Sequence, residues 1–156
     1  MDIRKLSFGG TSAIVTSMGL IVGLNAAALS KSAVFGSLLI VAIADNLTDS
    51  LSVHIYQESE RMAEKRAFRT TMANFLTRLC VSLTFALILL AVPTPLSVYL
   101  SLAWGFFLLA GLTLLVARTR GVQAAPEISK HVCVAILVIA VSKAIGMASL
   151  AITGST

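Results

Sequence analysis

Few residues in this chain have the means to do chemistry, and they sit inside oily runs. The stretch "ADNLTDSL", residues 44–51, sets Asp45, Asn46 and Asp49 between apolar segments, and Arg78 and Lys143 interrupt two others. At about 100° per residue, positions 45, 49, 52 and 56 share one helical face. That stripe reads Asp45, Asp49, Ser52 and Tyr56, and all four present oxygen. The two carboxylates are one turn apart, about 6 Å along the axis. Such a pair can hold a hard divalent cation or share a proton. The sequence has no HExxH, GxSxG, P-loop or CxxC pattern, so nothing in it points to an enzyme or a resident cofactor.

The elements that must carry these residues follow from composition. Of 156 residues, 57% are hydrophobic and 12% charged, and the mean hydropathy is +0.93. A soluble domain carries about 25% charged residues. The net charge of +5 does not read as nucleic-acid binding, because the basic residues stand in short clusters between apolar runs. About 20 apolar residues cross a bilayer as a helix. Five stretches qualify: 8–28, 32–56, 71–92, 96–117 and 131–152. The expected fold is all-α, a single polytopic transmembrane domain over 1–156 with a short charged loop at 57–70.

The connections add detail. "SKS" is short enough to make the first two spans a tight antiparallel pair. "QESERMAEKRAFR" extends the second helix or forms a short helix of its own. "PTP" is a proline-set turn, and Pro126 with Glu127 opens the last helix. Cys80 and Cys133 lie within apolar runs and read as small buried hydrophobes, not as a disulfide or metal pair.

Lys and Arg placement sets the expected orientation. Arg4 and Lys5 precede the first span. Arg61, Lys65, Arg66 and Arg69 follow the second, Arg118, Arg120 and Lys130 follow the fourth, and only Lys31 lies on the opposite side. The N-terminus is then cytoplasmic and the C-terminus outside. The first span has a rival reading as a signal peptide cleaved after "AAA" at 26–28. Its length and its Gly19-xxx-Gly23 motif, suited to close helix packing, favour a retained helix, although small residues are common throughout the chain.

Depth counting then matches charges. At about 1.5 Å per residue, Asp49 and Arg78 share one level, and Asp45 and Lys143 share another near the midplane. A charge at the bilayer centre costs about 2.5–3.5 kcal/mol on insertion scales and persists only against a partner or a cavity. Two structural ion pairs are one outcome. The other is a gated site in which Lys143 competes with a cation for Asp45. Beyond the second span, Glu58, Glu60 and Glu64 form a solvated charged loop or a vestibule that gathers cations. Met18, Met62, Met72 and Met147 offer soft sulfur, with packing the more ordinary role. His54 and His131 read as interfacial polar residues.

The order of segments resembles a known family. "FGGTSAIVTSMGLIVGLNAA" is similar to the first helix of the vacuolar iron transporters, and "ADNLTDSLSVHIYQESE" to their second. "AVPTPLSVYLSLAWGFFLLAGLTLLVARTRG" and "ILVIAVSKAIGMASLAI" resemble the last three spans in length and order. The resemblance implies a five-helix protomer, a homodimer with a pathway between subunits, and proton-coupled export of ferrous iron or manganese from the cytosol. On that alignment the family's first-helix aspartate falls on Ser12, its second-helix methionine on Asp45, its nearby glutamate on Asp49 and a last-helix aromatic on Lys143. Glu58 and Glu60 match the start of its acidic region, and Glu64 continues it. Exchanging a soft methionine for a carboxylate tilts preference toward harder ions such as manganese. The expected site is thus Asp45 and Asp49 for the ion, with Glu58, Glu60 and Glu64 at the entrance. Ser12, Asn25 and Ser52 line the path, and Arg78 and Lys143 modulate it. The expected setting is a prokaryotic inner membrane. The rivals are a same-fold transporter of another substrate, a non-transporting scaffold subunit and, weakest, a membrane-embedded enzyme, for which no nucleophile-base-metal set converges.

Overall fold

In the computed structural model, backbone is described for residues 3–59 and 64–154, and side chains for 9–59 and 68–154. Glu60, Arg61 and Met62, and the side chains of Arg4, Lys5, Glu64, Lys65 and Arg66, lie outside the described residues. Five helices account for nearly all of it: α1 (Ile3–Ala26), α2 (Lys31–Ser59), α3 (Glu64–Ala91), α4 (Leu96–Arg120) and α5 (Ala124–Thr153). No strand occurs among the described residues. The charged segment after the second span is divided between two helices. It lengthens α2 to Ser59 and opens α3 at Glu64.

Local chemistry explains the ends. Ala28 takes the left-handed conformation at φ 57°, and the Leu29 N–H donates back to the Leu24 carbonyl at 3.2 Å, closing α1 in a Schellman turn. The Ser30 hydroxyl accepts from the Ala33 N–H at 3.3 Å and caps α2. Lys31 donates to the carbonyls of Val92 (2.9 Å) and Leu90 (3.3 Å). A cation there meets the negative end of α3, so Lys31 serves the neighbouring helix. Gly121, at φ 68°, ends α4. Pro126 and Glu127 stand in the first turn of α5, as expected for a proline without an N–H to satisfy.

α1 is the central element. It touches all four other helices, and α2, α3, α4 and α5 follow one another around it in an arc. The arc is open, because α2 and α5 do not touch among the described residues. The α1–α2 pair is looser than expected, because α2 leans chiefly on α3. A short loop forces two helices to be neighbours in sequence, but side-chain fit decides where each lies deepest.

The core collects Ile14, Met18 and Ile21 of α1 with Val34, Leu38, Phe85, Leu89 and Leu109. Met18 is fully buried and lies against Gly105, where any Cβ would collide with its sulfur. The Gly19-xxx-Gly23 motif is a packing face. A Cβ on Gly19 would stand 2.9 Å from Ser142 Oγ, and one on Gly23 would stand 3.0 Å from the Ser142 carbonyl. From the α5 side, a Cβ on Gly146 would run into the Gly23 carbonyl.

The outside is as apolar as the inside. Ile40, Ile43, Leu47, Leu51, Phe107, Leu137 and Ile145 are all exposed, and each helix is long and apolar enough to cross a membrane. The chain is an integral membrane protein. Cys80 and Cys133 are exposed free thiols on this outer surface, not buried. In hydrocarbon a small apolar residue gains little by turning inward, so an apolar setting does not imply burial.

Candidate functional site

The site is built where α2 and α3 cross. Buried positions of α2 recur near every fourth residue, through Leu38, Ala42, Asn46 and Ser50, so Asn46 is carried into the interface and Asp45 and Asn46 diverge. Asp45 lies 14 residues from each end of α2, counting from Lys31 and from Ser59, which puts it at mid-helix. Arg78 on α3 is almost completely buried. Gly9 of α1 lets the two helices close over it, since a Cβ there would stand 3.0 Å from Arg78 Cγ.

Arg78 gathers everything. Nε donates to Asn46 Oδ1 at 2.6 Å, Nη1 donates to Asp49 Oδ2 at 2.9 Å, and Nη2 donates to Asp45 Oδ2. Asn74 Nδ2 adds a bond to the same Asp49 oxygen at 3.1 Å. The guanidinium fork suits such multiple acceptors in fixed directions. The carboxylates differ in setting. The Arg78 side chain is 3% exposed, that of Asp49 28% and that of Asp45 49%. Two carboxylates against one guanidinium leave one negative charge over, and the more open carboxylate faces out of the interface.

A groove of about 540 Å³ runs in the gap of the arc, floored by Thr16, Gly19 and Gly23 of α1 and walled by Val41 of α2 and Val138, Ser142 and Ile145 of α5; Asp45 does not line it. Asp45 lies one turn from Val41 on the same flank of α2, and Ser12 lies one turn from Thr16 on α1. The exposed surface of α2 therefore divides into an apolar stripe of Ile40, Ile43, Leu47 and Leu51 and a polar stripe of Asp45, Thr48, Ser52 and Tyr56. Thr48 and Ser52 turn their hydroxyls back to carbonyls of their own helix, Ala44 at 2.9 Å and Thr48 at 3.0 Å.

Neither protein-family models nor curated proteins nor solved structures give a match to this chain.

The geometry unites some expected site residues and separates others. Asp49 pairs with Arg78 as depth counting predicts. Asp45 joins the same arginine, and the expected Asp45–Lys143 pairing is not made within the protomer. α1 stands between α2 and α5, and Lys143 lies on the outer flank of α5, roughly opposite Ile145, exposed and with no bond among the described residues. Two groups at one depth can still point in different directions around the bundle. Asn25 lies elsewhere, in a small recess with Lys31, Thr94 and Ser97. Glu58 is exposed and stands 3.4 Å from His54 Nε2. Glu60 and the Glu64 side chain fall outside the described residues. No cluster of three or more His, Cys, Asp or Glu occurs among the described residues. His131 bonds Thr113 Oγ1 through Nδ1 at 2.9 Å.

Asn46 and Asn74 were the residues that reading for charge passes over. Both carry a signal: Asn74 precedes Arg78 by four residues and shares its face, and Asn46 falls in the buried stripe of α2.

Proposed function

We propose that the chain is a membrane cation transporter of the kind it resembles in sequence, the vacuolar iron transporters. Its cargo on this reading is a divalent metal, iron or manganese, exported from the cytosol in exchange for protons. The observation that carries the reading is the surplus negative charge at mid-helix, held by Arg78 and half open at Asp45, one turn along α2 from the groove wall at Val41. A carboxylate with no counter-charge is costly in a membrane, and such groups mark ion and proton pathways. A proton brings the cluster to zero and a divalent ion takes it to +1, and the two can exclude each other there, which is the requirement for exchange. Asp45 and Asp49 supply two hard oxygen ligands, so further ligands come from water or from a second copy across the groove in a homodimer. The polar stripe of α2 suits such a shared path better than it suits lipid. Lys and Arg placement supports a cytosolic N-terminus and an outside C-terminus on this reading, and the membrane we propose is a prokaryotic inner one.

A scaffold subunit is the second reading, favoured by the completeness with which Arg78 ties both acids to α3. Proteoliposomes separate the two. Purified protein with a manganese or ferrous gradient and an internal pH dye is expected to show metal-dependent proton movement. Asp45→Asn is expected to lower it at least about tenfold, the usual scale for disturbing a metal site. Its melting temperature should stay close to that of the unsubstituted protein, because a neutral Arg78–Asp49 pair remains. Absence of flux in the unsubstituted protein would decide for the scaffold.

A further inference from the structure

Below the Arg78 cluster, toward the end of the bundle where α2 ends at Ser59 and α3 begins at Glu64, the interface of the two helices stays polar. Asn46, Ser50 and Gln57 of α2 and Asn74 of α3 are each more than nine-tenths buried. Each has one side-chain atom without a hydrogen-bond partner among the described residues: Asn46 Nδ2, Ser50 Oγ, Gln57 Oε1 and Asn74 Oδ1. Thr71 Oγ1 and His54 Nδ1 continue the series. The amide assignments are forced by chemistry. Arg78 only donates, so Asn46 must turn Oδ1 to it and leave Nδ2 over. The Asp49 carboxylate only accepts, so Asn74 must turn Nδ2 to it and leave Oδ1 over.

By register these residues follow one another along the two helices, with Asn74 Oδ1 itself turned against Gly9 of α1. The Asn46–Arg78 and Asp49–Asn74 bonds fix the antiparallel register, which sets Ser50 opposite Asn74 and Thr71 about a turn farther along, opposite His54. Successive levels are separated by about 4.5–6 Å of helix axis, and a water bonded on both sides spans about 5.5 Å. An unmet buried polar atom costs about 1–3 kcal/mol, so a row of them needs an occupant. Asn46 Nδ2 requires an acceptor, while Gln57 Oε1 requires a donor. A metal ion serves only acceptors, an anion serves only donors, and an acyl chain serves neither. Water serves both.

We propose that the α2–α3 seam is a water-filled half-channel from the Arg78 cluster toward the level of Gln57 near the end of α2, and that protons reach Asp49 along it. The proton role rests on the transport reading above; the water does not. It is a different passage from the groove between α2 and α5, so metal and proton approach the acids from two sides.

X-ray hydroxyl-radical labelling in nanodiscs tests the water directly, since radicals born from a bound water oxidise the nearest thiol. In a Cys80→Ser, Cys133→Ser background, Ser50→Cys is expected to oxidise several-fold faster than Ala135→Cys, which sits in the dry core. Equal slow rates would overturn the half-channel. Thr71→Cys reads the same seam should Ser50→Cys fail to fold. In proteoliposomes, Ser50→Val leaves the Arg78 bonds intact and is expected to slow proton movement several-fold. Unchanged proton movement in that variant would overturn the proton route. If the unsubstituted protein moves no protons while Ser50→Cys is labelled, the transport reading and the proton role fall together and the water stands.

Discussion

Arg78→Ala is expected to cost the folded protein about 3–5 kcal/mol, the usual penalty for removing one partner of a buried ion pair. The guanidinium is shared among Asp45, Asn46 and Asp49, so its loss leaves two carboxylates facing each other and an amide oxygen unmet. Thermal unfolding in detergent reads the effect as a large drop in melting temperature. Arg78→Lys should fall between, because one ammonium cannot meet three acceptors in the directions that a planar fork does. Adding Asp45→Asn and Asp49→Asn to Arg78→Ala should recover much of the loss by removing the stranded charge. An Arg78→Ala protein that melts with the unsubstituted one would mean that the acids find their counter-charge elsewhere, and the site as described would be wrong.

The second large effect is steric. Gly146→Leu places a branched side chain where even a Cβ meets the Gly23 carbonyl. Backbone cannot yield as a side chain can, so α1 and α5 must part. Overpacking a close contact costs about 1–3 kcal/mol when side chains can adjust, and here they cannot. Monodisperse protein after size exclusion is expected to fall sharply, with Gly146→Ala intermediate. Gly36→Leu and Gly111→Leu are the controls, since nothing lies within 4 Å of a Cβ at either position. If Gly146→Leu is as well behaved as they are, α5 does not dock on α1 through this contact.

The five spans and their order are legible because long apolar runs have few alternatives in a chain of this composition, but α3 and α5 each begin seven residues before their apolar runs, at Glu64 and Ala124. The Asp49–Arg78 pair was legible too, because neighbouring antiparallel helices make depth a usable coordinate. Azimuth was not. Hydrophobicity separates inside from outside in water, but here Leu47 faces outward and Leu38 inward with equal right, and Cys80 and Cys133 were misplaced for that reason. Lys143 was paired with Asp45 on depth alone, with no means of knowing that α1 would stand between them. Asn46 and Asn74 went unassigned because uncharged amides stand out less in an apolar run than ions do, although they complete the shell around Arg78.

The α2–α3 crossing also bears on how the protein is made. Asp45 and Asp49 leave the ribosome well before their arginine, which lies 29 residues beyond Asp49. Until it emerges, α2 is a poor guest in hydrocarbon, so the hairpin of α2 and α3 is the natural unit of insertion. A nascent chain ending at Ser59 is expected to hold α2 in the bilayer less well than one extended through Ala91, as glycosylation mapping would report. Equal retention of the two would show that α2 inserts without its counter-charge.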